Sequence, residues 1–163
     1  IARFVDGEPA EAFLDIPSLR QRIVAIRGQG AWRNQKRLTP ESRVVAGSSC
    51  ISLCSRSIRV LQKRPDQSFP GKIRLLGVAS LNLVSVAMGQ TAGALEATPK
   101  IWDLAAAWLV LIELGCPLIW LGPHPAHLEP GCDLSEMGFP VVAAGSQKQL
   151  ERLAPWGESL LNG

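Results

Sequence analysis

Two carboxylates, Glu96 and Asp103, stand seven residues apart in an apolar stretch of this 163-residue chain. Glu96 ends a short predicted strand, and Asp103 lies where an apolar helix begins. A helix N-terminus leaves backbone N–H groups unpaired and carries a partial positive charge, so an Asp there can cap the helix, hold a hard cation, or do both. Open α/β sheets bind ligands where strand ends face helix N-termini. The residues alone also allow a second interpretation, in which Asp103 is a plain N-cap and Glu96 an ordinary exposed carboxylate.

Other patterns that could carry chemistry are weaker. His124 and His127 form an H-x-x-H pair, but Pro125 follows His124, so the pair cannot lie inside a regular helix and we predict a surface loop. The sequence contains no G-x-S-x-G motif, which excludes that type of nucleophile. Gly28-Gln29-Gly30 lacks both the continuation and the following helix of a phosphate-binding loop.

The four cysteines also show no metal-binding spacing. Cys50 and Cys54 are one residue too far apart for a C-x-x-C pair, and Cys116 and Cys132 form no second pair. Reduced, mostly buried thiols of a cytoplasmic protein are the interpretation that the pattern favours over disulfides.

The first 38 residues are predicted to form an antiparallel, meandering sheet. Strand-like runs cover residues 2–5, 10–14 and 22–27, followed by shorter runs at 31–32 and 36–38. Asp6-Gly7 is typical of a hairpin turn between two such runs. Thr39-Pro40-Glu41-Ser42 then interrupts the pattern. We therefore predict that residues 1–42 are the antiparallel edge of an incomplete N-terminal α+β domain.

Residues 43–163 are predicted to form a C-terminal α/β domain. The predicted strands cover residues 44–47, 73–76, 93–96, 117–121 and 140–144. The predicted helices cover residues 50–64, 79–88, 103–114 and 147–154, with Ser48-Ser49 capping the first and Ser146 the last. Alternating strands and helices with short links predict α/β layers.

Composition places the chain among globular proteins, with 47% hydrophobic and 19% charged residues. The net charge of +3 hides an asymmetry, because residues 1–75 hold 14 Lys and Arg against 6 Asp and Glu. A solvated face explains this excess more simply than nucleic acid, since no aromatic residues interleave with the arginines. Residues 104–121 are apolar, but Glu113, Gly115 and Pro117 interrupt them, so no membrane span is expected.

Three segments make the chain recognisable when they are taken together. Residues 77–89 read GVASLNLVSVAMG, and they are followed by Ala94-Leu95-Glu96 and by Trp102-Asp103-Leu104-Ala105-Ala106. This order resembles the C-terminal signature of the inositol monophosphatase family, whose W-D-x-A-A-G motif follows a G-x-A-A-x-x-L helix. Residues 26–34, IRGQGAWRN, are similar to the family's strand–turn–strand segment, and residues 140–144, PVVAA, to its final strand.

The resemblance implies a Mg²⁺-dependent phosphomonoesterase with a layered αβαβα fold. In such enzymes, metal ions held by carboxylates activate a water and neutralise the phosphate. By resemblance, Asp103 is a metal ligand, Glu96 binds substrate hydroxyl groups, and Gly77, Val78 and Ala79 contact the substrate mostly through backbone. The implied substrate is a small phosphorylated polyol or sugar, such as an inositol phosphate, another sugar phosphate or a phosphorylated adenosine nucleotide. A homodimer is implied for the full-length form.

The family's upstream motifs have no counterpart in this sequence. The Glu-Glu segment and the D-P-x-D-G-T motif, which supply the other metal ligands, are absent, and Asp6-Gly7-Glu8 lacks the first Asp, the Pro and the Thr. Ala107 replaces the last Gly of the W-D motif. We therefore expect the C-terminal portion of a longer phosphatase, with no catalytic residue of its own and no activity alone. The alternative is a degenerate, non-catalytic relative that acts as a binding or assembly module.

Overall fold

The computed structural model describes residues 1–42, 49–125 and 131–161. The first sheet contains five consecutive antiparallel strands in the order of the chain. They are β1 (Ala2–Val5), β2 (Glu8–Ile16), β3 (Gln21–Ile26), β4 (Gly30–Arg33) and β5 (Lys36–Leu38). The turn at Asp6-Gly7 uses left-handed backbone at both residues, with φ of 54° and 75°, as expected of a two-residue hairpin turn.

The second sheet mixes parallel and antiparallel pairs. Its strands are β6 (Cys50–Leu53), β7 (Lys72–Arg74), β8 (Gly93–Glu96), β9 (Leu118–Trp120) and β10 (Val141–Ala144), arranged in the order β7-β6-β8-β10-β9. Strand β6 runs parallel to both β7 and β8, whereas β10 runs antiparallel to β8 and β9. The parallel pair β6–β8 is the part of the sheet that matters for the site, because its two carboxyl ends lie side by side.

Four helices complete the layers: α1 (Arg59–Lys63), α2 (Ala79–Ala87), α3 (Ile101–Glu113) and α4 (Gln147–Glu158). Helices α2 and α3 share one hydrophobic cluster with residues of both sheets, so they lie between the sheets. Helices α1 and α4 pack on the opposite face of the second sheet, in a separate cluster. This sheet–helix–sheet–helix arrangement confirms the predicted α/β class and corresponds to the C-terminal part of a layered αβαβα fold.

The position of each helix explains its sequence. All eight residues from Leu104 to Leu111 of α3 are buried, because the first sheet covers one side of this helix and α2 packs against another. Helix α4 covers one face only, and its buried residues Leu150, Leu153 and Trp156 recur at helical spacing. In the described residues, no helix combines the length and the apolar character that a membrane span requires.

Glu113 joins the end of α3 to the first sheet. Its two carboxylate oxygens accept hydrogen bonds from the backbone N–H groups of Gly28 and Gly30, each at 2.8 Å. The turn between β3 and β4 is thereby fixed to a helix more than eighty residues away in the sequence. The Gly28-Gln29-Gly30 segment thus binds a carboxylate of the chain itself.

Of the secondary-structure predictions, one is wrong and one falls on residues that the structure does not describe. The predicted helix over residues 50–64 is wrong, because Cys50–Leu53 form β6 and only Arg59–Lys63 are α-helical. Ile51 and Leu53 are buried in the second sheet, where backbone pairing with β7 and β8 overrides local helix preference. The strand predicted over residues 44–47 lies outside the described residues.

The predicted division of the chain into residues 1–42 and 43–163 remains a prediction. The boundary adjoins residues 43–48, which the structure does not describe. Ile23 and Ala25 of the first sheet belong to the same cluster as Leu104 and Leu109 of α3, so the two predicted units share a core.

No disulfide joins the four cysteines, all of which lie in the described residues, but the prediction that most of them are buried is wrong. Cys116 is buried, Cys50 and Cys54 are half-buried, and Cys132 is exposed.

Candidate functional site

A cavity of about 450 Å³ lies at the carboxyl edge of the second sheet. It opens between the ends of β6 and β8 and the starts of α2 and α3. Its lining contains all five residues predicted for the site, namely Gly77, Val78, Ala79, Glu96 and Asp103. Five further lining residues were not indicated by the sequence: Cys54, Ser55, Arg56, Thr98 and Pro99.

The topology explains why these segments meet. Strands β6 and β8 are parallel neighbours, so residues 54–56 and 96–99 leave the sheet at the same edge. Helices α2 and α3 both begin at this edge, with Gly77, Val78 and Asp103 in their first turns or just before them. Carboxyl ends of parallel strands facing helix N-termini form a common ligand-binding arrangement in open α/β sheets.

Asp103 is the third residue of α3, and Lys100 occupies the N-cap position. One carboxylate oxygen of Asp103, Oδ2, accepts a hydrogen bond from the Lys100 backbone N–H at 2.9 Å. The helix therefore starts two residues earlier than predicted, and Asp103 stabilises the start from within the first turn rather than as a plain N-cap. This contact occupies one oxygen of a half-buried carboxylate in the cavity wall.

Glu96 is not the exposed carboxylate that the alternative interpretation expected, because only 2% of its surface is accessible. Burial raises the pKa of this carboxyl from 4.5 to about 7, and the negative charge of Asp103 adds to the rise. Hydrogen bonds from Asn82 and Cys54 act in the opposite direction, since both favour the ionised form. The Asn82 amide donates from Nδ2 to Glu96 Oε1 at 2.6 Å. Glu96 therefore changes its charge near neutral pH.

Cys54, Ser55 and Arg56 form a turn that the sequence prediction missed. The Cys54 sulfur accepts hydrogen bonds from the backbone N–H groups of Ser57 and Ala97, at 3.3 and 3.5 Å. The Ser57 hydroxyl donates to the carbonyl oxygen of Leu95 at 2.8 Å, which ties the turn to β8. The short apolar run of residues 50–53 could have indicated this turn, because a run of this kind is compatible with a buried strand. A strand that ends at residue 53 places residues 54–56 at the edge of the sheet.

Among the described residues that line the cavity, Arg56 is the single cation. Its Nη1 donates to the Thr98 hydroxyl at 2.6 Å, so the turn after β6 contacts the loop after β8 a second time. A guanidinium beside two carboxylates reduces the negative potential of the cavity.

Gly77 and Val78 lead into α2. Gly77 has φ of 82°, in the left-handed region that favours glycine. Val78 occupies the N-cap position and its side chain has no acceptor atom, so the first N–H groups of α2 donate no hydrogen bond to it. Uncapped N–H groups at a helix start are suitable donors for an anionic group.

The cavity does not by itself fit a magnesium ion. Mg²⁺ requires near-octahedral coordination by about six oxygens. Within residues 1–42, 49–125 and 131–161, no three His, Cys, Asp or Glu side chains come together in a way that could hold a metal ion. Asp103 can supply one ligand, which is too few to organise a site.

The histidine pair gives no competing site. The ring of His124 packs against Trp108 and Trp120, with ring centroids 6.1 and 5.4 Å apart, and it does not line the cavity. His127 lies outside the described residues.

The sequence of the chain matches the inositol monophosphatase family over residues 1–154. The chain belongs to this family. A protein named Nus factor SuhB from Xylella fastidiosa is 30% identical over 122 residues, which cover 71% of this chain and 44% of the relative. An inositol-1-monophosphatase from Rhizobium meliloti is 29% identical over 116 residues, which cover 67% of this chain and 44% of the relative. The chain spans about half the length of the curated relatives it matches.

Solved structures of this family show the same architecture. An IMPase/NADP phosphatase crystallised with Mg²⁺ and phosphate matches with a TM-score of 0.70 at 26% identity, over 93% of this chain and 57% of that one. Inositol monophosphatase II from Staphylococcus aureus matches with a TM-score of 0.73 over 98% of this chain and 60% of that one, and at 19% identity the likeness concerns the fold. The predicted family and the predicted fold class are both confirmed.

Proposed function

We propose that this chain is the substrate-binding, C-terminal part of a Mg²⁺-dependent phosphomonoester hydrolase that acts on a small phosphorylated polyol or sugar. The observation that supports the proposal is the cavity itself, which brings Glu96, Asp103 and the start of α2 to one edge of the second sheet. Family membership supports the reaction class. The proposal also includes a cytoplasmic location, a homodimer in the full-length form, and no nucleic-acid or membrane partner.

Each part of the cavity has a role in this proposal. The ionised Glu96 carboxylate accepts hydrogen bonds from ligand hydroxyl groups, which selects for a polyhydroxylated ligand. Gly77, Val78 and Ala79 contact the ligand through backbone, and the uncapped N–H groups of α2 attract its anionic part. In this proposal, the residues of this chain bind the ligand, and none of them takes part in breaking the phosphate ester bond.

Asp103 is the residue of this chain that would hold the metal. A bound Mg²⁺ would supply charge neutralisation at the phosphate and an activated water. Since Asp103 alone cannot organise such an ion, we propose that the isolated 163-residue chain binds the ligand without hydrolysing it.

Two measurements on the purified chain test this proposal. Titration with myo-inositol 1-phosphate, followed by ¹H–¹⁵N NMR, is expected to shift the amide signals of residues 77–79 and 96–98. Phosphate release in the presence of Mg²⁺ is expected to equal that of a protein-free control. Magnesium-dependent release above this control would show that the chain is a complete enzyme, and absence of any shift would contradict the ligand-binding role.

The second candidate is a non-catalytic relative that acts as a binding or assembly module. The lack of a three-ligand metal site in the described residues favours it. A longer polypeptide that contains this chain and carries the missing carboxylates would hydrolyse phosphate esters under the first proposal. The same polypeptide would remain inactive with Mg²⁺ under the second.

A further inference from the structure

Asn82 is a fully buried polar residue of α2 that contacts the site without lining the cavity. It has 0% of its surface accessible, and its side-chain Nδ2 donates to Glu96 Oε1 at 2.6 Å. Its other amide atom, Oδ1, has no hydrogen-bond partner in the described part of the chain. A buried amide with an unsatisfied oxygen is costly, so its presence on the apolar helix α2 requires a reason.

The groups around Glu96 come from four elements. Asn82 faces it from α2, and the Cys54 thiol hydrogen-bonds it from the turn after β6. Asp103 contributes a negative charge from α3, and the strand partner of Glu96 on β10 is the apolar Val141. Arg56 lines the same cavity, but its described hydrogen bond goes to Thr98. Asn82 is thus the amide donor that engages this carboxyl.

A buried carboxylate needs such a donor for two reasons. Burial disfavours the charged form, and a hydrogen bond to one oxygen partly offsets this penalty. The same bond fixes the rotation of the carboxyl group, which leaves its remaining acceptor positions for a ligand in the cavity.

We infer that Asn82 is a positioning residue that holds the Glu96 carboxylate in the orientation in which it accepts hydrogen bonds from ligand hydroxyl groups. This inference rests on the proposed function, which makes Glu96 a hydroxyl acceptor. It extends that function by assigning selectivity for polyhydroxylated ligands to a residue on the second helix, behind the cavity wall.

The first test is Asn82→Leu, which keeps the approximate volume of the side chain and removes the donor. The Glu96 carboxyl is followed by ¹³C NMR in protein labelled at the glutamate side chains. We expect the titration midpoint of Glu96 to move upward by about one pH unit, because a hydrogen bond to the ionised form is lost. Ser85→Ala, one turn further along α2 and also buried, is the control and should leave the midpoint in place. An unchanged midpoint in folded Asn82→Leu overturns the inference.

Asn82→Asp provides a second variant that preserves the shape of the side chain. Two carboxyl groups at hydrogen-bond distance cannot both ionise readily, so one should retain its proton at neutral pH and two separated midpoints should appear. A Glu96 midpoint identical to that of the unaltered chain overturns the inference in this variant as well.

A comparison of two ligands distinguishes a role of Asn82 in positioning the Glu96 carboxylate from a general role in stabilising the fold. Myo-inositol 1-phosphate and cyclohexyl phosphate share the phosphate and differ in the ring hydroxyl groups. Asn82→Leu is expected to weaken binding of the first by about tenfold and to leave the second unchanged. Equal losses for both ligands would mean a structural role and overturn the inference. If the unaltered chain binds neither ligand, the proposed function fails, and the carboxyl titration alone decides whether Asn82 controls Glu96.

Discussion

Replacement of Glu96 by Gln is expected to change how the stability of the protein depends on pH. The folded-state pKa of about 7 lies above the ordinary value of 4.5, so the folded state retains a proton that the unfolded chain loses between these values. Each pH unit of such a difference corresponds to about 1.4 kcal/mol. The stabilisation from this group is therefore present at low pH and is lost as the pH rises through 7. Between pH 5 and pH 8, the loss is about 2.5 kcal/mol in the free energy of unfolding.

Glu96→Gln removes the titration and retains the approximate size of the side chain and one of its two acceptor oxygens. Urea unfolding of both proteins at pH 5 and pH 8 measures the effect, and the difference between them isolates Glu96 because every other titrating group is shared. We expect the unaltered chain to lose about 2.5 kcal/mol more than the variant over this range. Parallel pH profiles for the two proteins would refute the assignment of a raised pKa to Glu96.

Three further predictions concern the residues that shape the fold and the site. Glu113→Gln removes one of the acceptors for the Gly28 and Gly30 N–H groups and should lower the free energy of unfolding by about 2 kcal/mol in urea titrations. Gly77→Ala should cost about 1 kcal/mol, measured in the same way, because the left-handed φ of 82° is unfavourable for Ala although the space is open. Asp103→Asn, in a longer polypeptide that supplies the remaining ligands, should weaken Mg²⁺ binding in calorimetry and leave the far-UV CD spectrum unchanged.

Matched variants provide the controls for these three predictions. Glu11→Gln removes an exposed carboxylate paired with Arg3 and should change stability little, so an equal effect of Glu113→Gln would contradict the proposed anchoring role. Gly138→Ala, where the backbone is not left-handed and the nearest atom lies 3.8 Å away, should be nearly neutral. Unaltered Mg²⁺ affinity in Asp103→Asn would remove Asp103 from the metal site.

The segments that could be predicted from sequence are those with a clear local pattern. The antiparallel strands of the first sheet follow from short apolar runs separated by turn residues such as Asp6-Gly7, and the structure confirms them. Helices α2 and α3 and the intervening β8 were predicted to within about two residues, because their lengths and flanking glycines distinguish them. In each case the deciding information lies within a few residues of the element.

The errors have a common physical cause. The run Cys50-Ile51-Ser52-Leu53 is compatible with a buried strand or a buried helix segment, and only its pairing with β7 and β8 selects the strand. Because β6 was missed, residues 54–56 were not expected in the cavity wall. The burial of Glu96 was missed for a similar reason, since Asn82 and Cys54 reach it from other elements.

The sequence by itself predicted the family, the alternation of strands and helices, and five residues that the structure brings together in the wall of one cavity. These depend on residue types at short spacing, which the chain displays directly. The tertiary structure decided which strand lies beside β8, and therefore that Cys54, Ser55 and Arg56 share a cavity with Asp103. It also decided that Glu96 is buried against an amide donor, because burial and charge state depend on contacts between elements that are distant in sequence.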